Sequence, residues 1–155
     1  MNVGSALVLT GRLYAVLERA NGEIINLGLL GEKMVTTAFA NFLVAQMIAE
    51  SSEIGDFKYH DCGTDGTPEA VGNTTLGTPW GGARIVGTQV TGATNNIYRS
   101  VAQTVFTGAY AIVEHGLFSQ AAGGTLLDRT VFAAIPVLNG DSVTWTYELT
   151  VTAGG

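Results

Sequence analysis

Asp56, His60, Asp61, Cys62 and Asp65 form the densest group of potential metal ligands and catalytic groups in this 155-residue sequence. On a strand, alternate side chains point to opposite faces, so His60 and Cys62 share one face while Asp61 points to the other. Two ligands do not make a zinc site, and His115 is the one further histidine available. Asp61, Asp65 and Glu69 around Gly66 have the composition of a calcium loop without the spacing of an EF-hand, and solvated turns use the same residues. His115 directly follows Glu114, so on a strand the two diverge, and the carboxylate does not orient that imidazole for nucleophilic catalysis. There is no Gly-x-Ser-x-Gly elbow, phosphate loop or His-Glu-x-x-His helix, and no carboxylate pair stands out for glycoside hydrolysis. The expectation is a chain with no catalytic residues, no metal site and no cofactor.

Composition points the same way. Thirteen acidic residues against seven basic ones give a formal net charge of -6, with no Lys/Arg run to neutralise phosphates, so direct nucleic-acid binding is not expected. A single Cys62 rules out an intramolecular disulfide and suits synthesis in a reducing compartment. The apolar stretches 6–17 and 35–49 are broken by Arg12 and by Asn41 and Gln46. Both are short of membrane-spanning length, so no membrane partner is expected. Met1 to Ser5 lacks the basic region of a signal peptide, and no export is expected. With 46% hydrophobic and 13% charged residues, one small domain of 1–155 leaves more apolar surface than it should expose. Self-association is expected, as a homotrimer.

The elements that must position these residues are short. Asn21-Gly22 marks an N-terminal hairpin over about 6–28, returning through Ile24 to Leu27 and ending at the glycines of 28–31. Val35, Phe39, Phe42, Leu43 and Met47 recur at helical spacing, predicting a helix over about 35–49 with Thr36 or Thr37 as N-cap. The alternation of Phe57 and Tyr59 with Lys58 and His60 predicts a strand over 54–62. A long loop rich in Gly, Thr, Asn and Pro follows over about 63–82, the kind of segment that carries binding. Strands are then expected at 84–90, 97–106, 111–118, 125–133 and 142–152. The fold class is mainly β: an antiparallel β-sandwich or jelly-roll-like barrel with one helix. The terminal strands, 6–17 and 142–152, are expected at sheet edges, open to strand addition.

Glu114 and Arg129 each sit among apolar neighbours in a strand, which fits a cross-strand or intersubunit ion pair and equally a solvated face. Trp145 alternates with Val143 and Tyr147 and reads as core. Trp80, in a Gly/Pro-rich loop, reads as an interface anchor.

Ile112-Val113-Glu114-His115-Gly116-Leu117-Phe118, followed by Leu126-Leu127-Asp128-Arg129-Thr130-Val131-Phe132 and a closing Gly140-Asp141 strand, resembles a recurring module of tailed-bacteriophage virion proteins. Gly63-Thr64-Asp65-Gly66-Thr67-Pro68, Thr75-Leu76, Arg84 and Asn96 extend the resemblance over most of the chain from about Val35. Relatives often follow the Thr-Leu pair with Glu, where this chain has Gly77-Thr78-Pro79-Trp80. The resemblance implies a capsid decoration, or cement, protein on the virion surface. Its partners would be the major capsid protein and copies of itself, with Trp80, Arg84, Glu114 and Arg129 as interface residues. A tail or tail-fibre component is the alternative, since Glu-x-Gly-Leu-Phe strands recur there. A carbohydrate-binding jelly roll, with Trp80, Tyr59 and Tyr110 as a stacking platform, is a third reading.

Overall fold

Short runs of β-branched and aromatic residues, punctuated by Gly, Asn and Asp, place strands over most of the chain. The computed structural model describes residues 6–48 and 56–153. Met1 to Ser5, Ala49, the polar break at 50–53 and the start of the expected strand at Ile54 and Gly55 lie outside the described residues. The elements are β1 (Leu7–Glu18), β2 (Ile24–Met34), α1 (Thr37–Ile48), β3 (Tyr59–Gly63), β4 (Ile85–Val86), β5 (Thr88–Thr91), β6 (Ile97–Val105), β7 (Tyr110–Phe118), β8 (Leu126–Val137) and β9 (Ser142–Ala153).

They form two antiparallel sheets, one of five strands in the order β2-β1-β9-β6-β5 and one of four in the order β4-β3-β7-β8. The fold is a β-sandwich and not a closed barrel: each sheet keeps two edges. Leu13, Ala15, Leu17, Val143 and Trp145 from the larger sheet meet Cys62, Ile112, Phe132, Ile135 and Val137 from the smaller across the core. Helix α1 plugs one open end. Phe39 and Phe42 pack edge-on against Phe57, beside Leu117, Leu127 and Leu149. Thr36 is the N-cap: its Oγ1 accepts from Phe39 N at 3.1 Å and donates to Leu126 O at 2.6 Å, fixing the helix start on β8.

Four expectations need correcting. The glycines of 28–31 do not end the hairpin. They sit beside two register shifts, and β2 runs on to Met34, because a bulge absorbs extra residues without breaking the pairing. The terminal strands are not edges: β1 lies between β2 and β9, and β9 lies between β1 and β6. The strand containing His60 starts only at Tyr59, since Phe57 turns into the helix cluster. The run 84–90 is two strands, with β4 pairing to β3 in one sheet and β5 to β6 in the other. Gly87 is the crossing point. A Cβ there would lie 2.2 Å from Ser100 Oγ and 2.8 Å from His60 Nε2, so no larger residue lets the chain step between the sheets at this level.

Candidate interface

The residues that could do chemistry are divided by strand alternation. His60 and Cys62 face the core and Asp61 faces outward, as the period of two requires. Cα pairing of β3 with β7 sets His60 beside Leu117 and Cys62 beside His115. His60 Nδ1 then shares a hydrogen bond with His115 Nε2 at 3.0 Å, and His60 Nε2 shares one with Ser100 Oγ of the opposite sheet at 2.8 Å. The His115 ring also lies 5.0 Å from the Trp145 ring. Ser100 is 0% exposed and both histidines 1%, so this Ser-His-His chain is a polar tie between the sheets, closed to solvent. Burial lowers the His60 pKa to about 3. It also holds His115 well below the usual imidazole value, helped by the proximity of His60, and pushes the Cys62 thiol up.

Glu114, pointing away from His115, faces the outer side of the smaller sheet. It meets Arg129 diagonally across β7 and β8, with Arg129 Nε donating to Glu114 Oε2 at 2.7 Å. Both residues are buried, at 0% and 5% exposed. The ion pair is therefore cross-strand and internal. Its remaining capacity is used on the loop between β3 and β4. Glu114 Oε1 accepts from Asp65 N at 3.2 Å and Thr78 N at 2.8 Å, and Oε2 accepts from Gly77 N at 2.9 Å. Arg129 donates to the carbonyls of Thr67 at 3.1 Å and Asp65 at 3.3 Å. Gly63 makes room for this knot, because a Cβ there would stand 2.3 Å from Thr78 O and 2.5 Å from Glu114 Oε1. A fully desolvated carboxylate with one cation and three N–H donors is a stable arrangement, and losing any partner leaves a buried charge exposed to the penalty.

The loop so held lies over the outer face of the smaller sheet. Leu76 is buried against Phe118 and Leu126, with Tyr59 packed beside them. Arg84 lies 3.4 Å over the Phe118 ring, donates to Gln120 O at 2.8 Å and Gly123 O at 2.6 Å, and pairs with Asp61 at 3.4 Å. Trp80 returns to the far end of the sandwich. Its ring is half-buried, edge-on to Phe106 at 5.1 Å and Tyr110 at 5.5 Å. Trp80 and Tyr110 thus belong to one cluster and Tyr59 to another, so the three rings do not assemble into one stacking platform.

The potential calcium ligands also separate. Asp61 turns to Arg84, Asp65 accepts from Thr67 N and Oγ1, and Glu69 pairs with Lys33 at 2.7 Å. Among the described residues no three His, Cys, Asp or Glu side chains converge as a metal site, and no helix is long and apolar enough to cross a membrane.

Two buried groups escaped the sequence reading. Asp128 accepts from Tyr147 OH at 3.0 Å and Thr130 Oγ1 at 3.2 Å, and burial raises its pKa to about 6. Asp141 accepts from Arg19 Nη1, Ala20 N and Leu138 N, tying the first hairpin to the turn before β9. The available signal was the Asn-Gly-Asp turn itself, whose Asp commonly caps local N–H groups.

No family model, curated protein or solved structure matches the chain.

Proposed function

We propose that this chain is a structural virion protein of a tailed bacteriophage that decorates the capsid as a cement protein. In this reading it is not an enzyme. It sits on the assembled shell, contacts the major capsid protein and other copies of itself, and clamps neighbouring capsomers. A threefold seat would make the homo-oligomer a trimer.

One observation carries the reading. The residues on which the resemblance to phage virion proteins rests, Gly63 to Pro68, Glu114 and Arg129, meet in a single knot that fixes a long loop. The knot's charges are directed inward, and several apolar side chains elsewhere face out: Ile24 is 68% exposed, Val71 52%, Val86 59% and Leu138 60%. A surface of that kind suits many weak contacts multiplied by a lattice more than it suits turnover of a substrate.

The test compares particles carrying and lacking the protein. A cement protein binds the assembled shell in preference to free subunits, so it raises the temperature or chelator concentration at which shells open. Labelling should place it over the capsid. Unchanged particle stability with label confined to the tail would replace this proposal by the tail-component reading.

A further inference from the structure

We propose that the outer face of the five-stranded sheet is a docking surface for a second copy of this chain, related by a two-fold axis parallel to the strands. The two sheets differ in what covers them. The smaller sheet carries its own loop, pinned by Glu114 and Arg129 and sealed by Leu76. On the larger sheet Arg12, Tyr14, Val16, Thr144 and Thr146 are only partly covered, Ser142 and Glu148 are buried at 8%, and Leu29, Val90 and Val105 are exposed at 49%, 45% and 55%.

The pattern on that face chooses the occupant. Strand pairing aligns Glu32, Arg12, Glu148 and Arg99 in one row across β2, β1, β9 and β6. Arg12 bonds Glu32 at 2.7 Å and Arg99 bonds Glu148 at 2.6 Å, so the row alternates in sign from end to end. Rotation by a half-turn about an axis along the strands, midway between β1 and β9, reverses the order of strands and keeps each row at its own height. Glu32 then faces Arg99 of the second copy, and Arg12 faces Glu148. A two-fold along the row would instead set each charge on itself, so a single orientation is selected.

The neighbouring rows agree with the charged one. Leu29, Tyr14, Thr146 and Val101 align in the next row, and the same rotation puts Leu29 on Val101 and Tyr14 on Thr146. One row further, Asn26, Val16, Thr144 and Gln103 align, which puts amide on amide and Val16 on Thr144. The end charges are accessible, Glu32 keeping 47% and Arg99 33% of their side-chain surface. Strand spacing makes this face about 20 Å by 25 Å, on the order of 500 Å² per copy. That is the low end of specific interfaces, so the contact is weak and reversible. It is independent of the capsid reading, and on a shell it would join neighbouring copies across a local two-fold.

The experiment is sedimentation of the purified chain up to high micromolar concentration, with Glu32→Arg and Arg99→Glu variants alone and mixed. The wild type should dimerise. Each variant alone should associate at least about tenfold more weakly, since it opposes like charges twice per dimer. An equimolar mixture should recover wild-type affinity, because Arg at position 32 then faces Glu at position 99 and the native Arg99 faces the native Glu32. As an independent readout, mixed Leu29→Cys and Val101→Cys chains should cross-link through a short bismaleimide, the native Cys62 being buried. A wild type that stays monomeric overturns the proposal. So does association indifferent to both charge variants, or absence of both mixed-chain recovery and cross-linking.

Discussion

Glu114 shows how much one side chain can organise. Its two oxygens take a guanidinium N–H and three backbone N–H groups. Glu114→Gln keeps the shape but removes the near counter-charge of the buried Arg129, leaving only the Asp65 carboxylate at 3.5 Å, and the expected loss is about 3 kcal/mol. Hydrogen exchange should accelerate at Asp65, Gly77 and Thr78 before the strand amides, and unchanged protection at these three would show that the knot does not hold the loop. The buried titrating groups give stability a pH dependence with two opposing signs. His60, lowered to about 3 from an ordinary 6.5, takes its proton more readily in the unfolded chain, and His115 acts in the same direction. Stability is therefore full above about pH 6.5 and falls on acidification towards pH 3, by about 2 kcal/mol at pH 5 for His60 alone. Asp128, raised to about 6 from 3.8, works the other way, binding its proton more tightly when folded, so its contribution falls as pH rises from about 4 to 6. Asp128→Asn keeps an acceptor for Tyr147 and removes the buried charge. Melting curves should show the variant gaining about 3 kcal/mol over wild type well above pH 6, with the gain vanishing below about pH 4. A gain independent of pH would mean that folding does not raise the Asp128 pKa. The parity of His60, Cys62 and His115 was readable along the chain. Their meeting with Ser100 was not, because it depends on β3 pairing with β7 and on the facing of the two sheets.

At the scale of elements, the sandwich is closed at its two ends by aromatic plugs. Phe39, Phe42 and Phe57 fill the end under α1, and Trp80, Phe106 and Tyr110 fill the other. Phe39→Ala should cost about 3–5 kcal/mol, as for a buried aromatic truncation. Trp80→Ala, at a half-buried ring, should cost less, about 1–3 kcal/mol. Thermal melts of the two variants rank the plugs, and an unaltered melt for Trp80→Ala would make the indole a surface feature alone. The long strands, the Asn21-Gly22 turn and the Thr36 cap were legible, because periodicity and turn chemistry are local properties. The order of strands was not. Nothing in the alternation of β1 or β9 says that each has a neighbour on both sides. The split at Gly87 looks locally like one strand, the lone glycine being its sole sign.

Over the whole molecule, the two outer faces of the sandwich are covered differently. The smaller sheet is covered by a loop that its own ion pair holds in place, and the larger carries rows of side chains that the proposed two-fold would set against one another. A low-charge surface carried on a rigid frame is what the proposed place on a capsid lattice calls for, where affinity comes from the number of contacts. The series of strands was visible in the sequence, whereas the facing of the two sheets required the assembled fold. The most direct measurement is the disruption temperature of otherwise identical particles assembled with and without this protein. The account predicts that decorated particles open several degrees higher and that the difference grows with protein concentration until the sites fill. Particles that open at the same temperature whether or not the protein is present, at concentrations where it is bound, would contradict it.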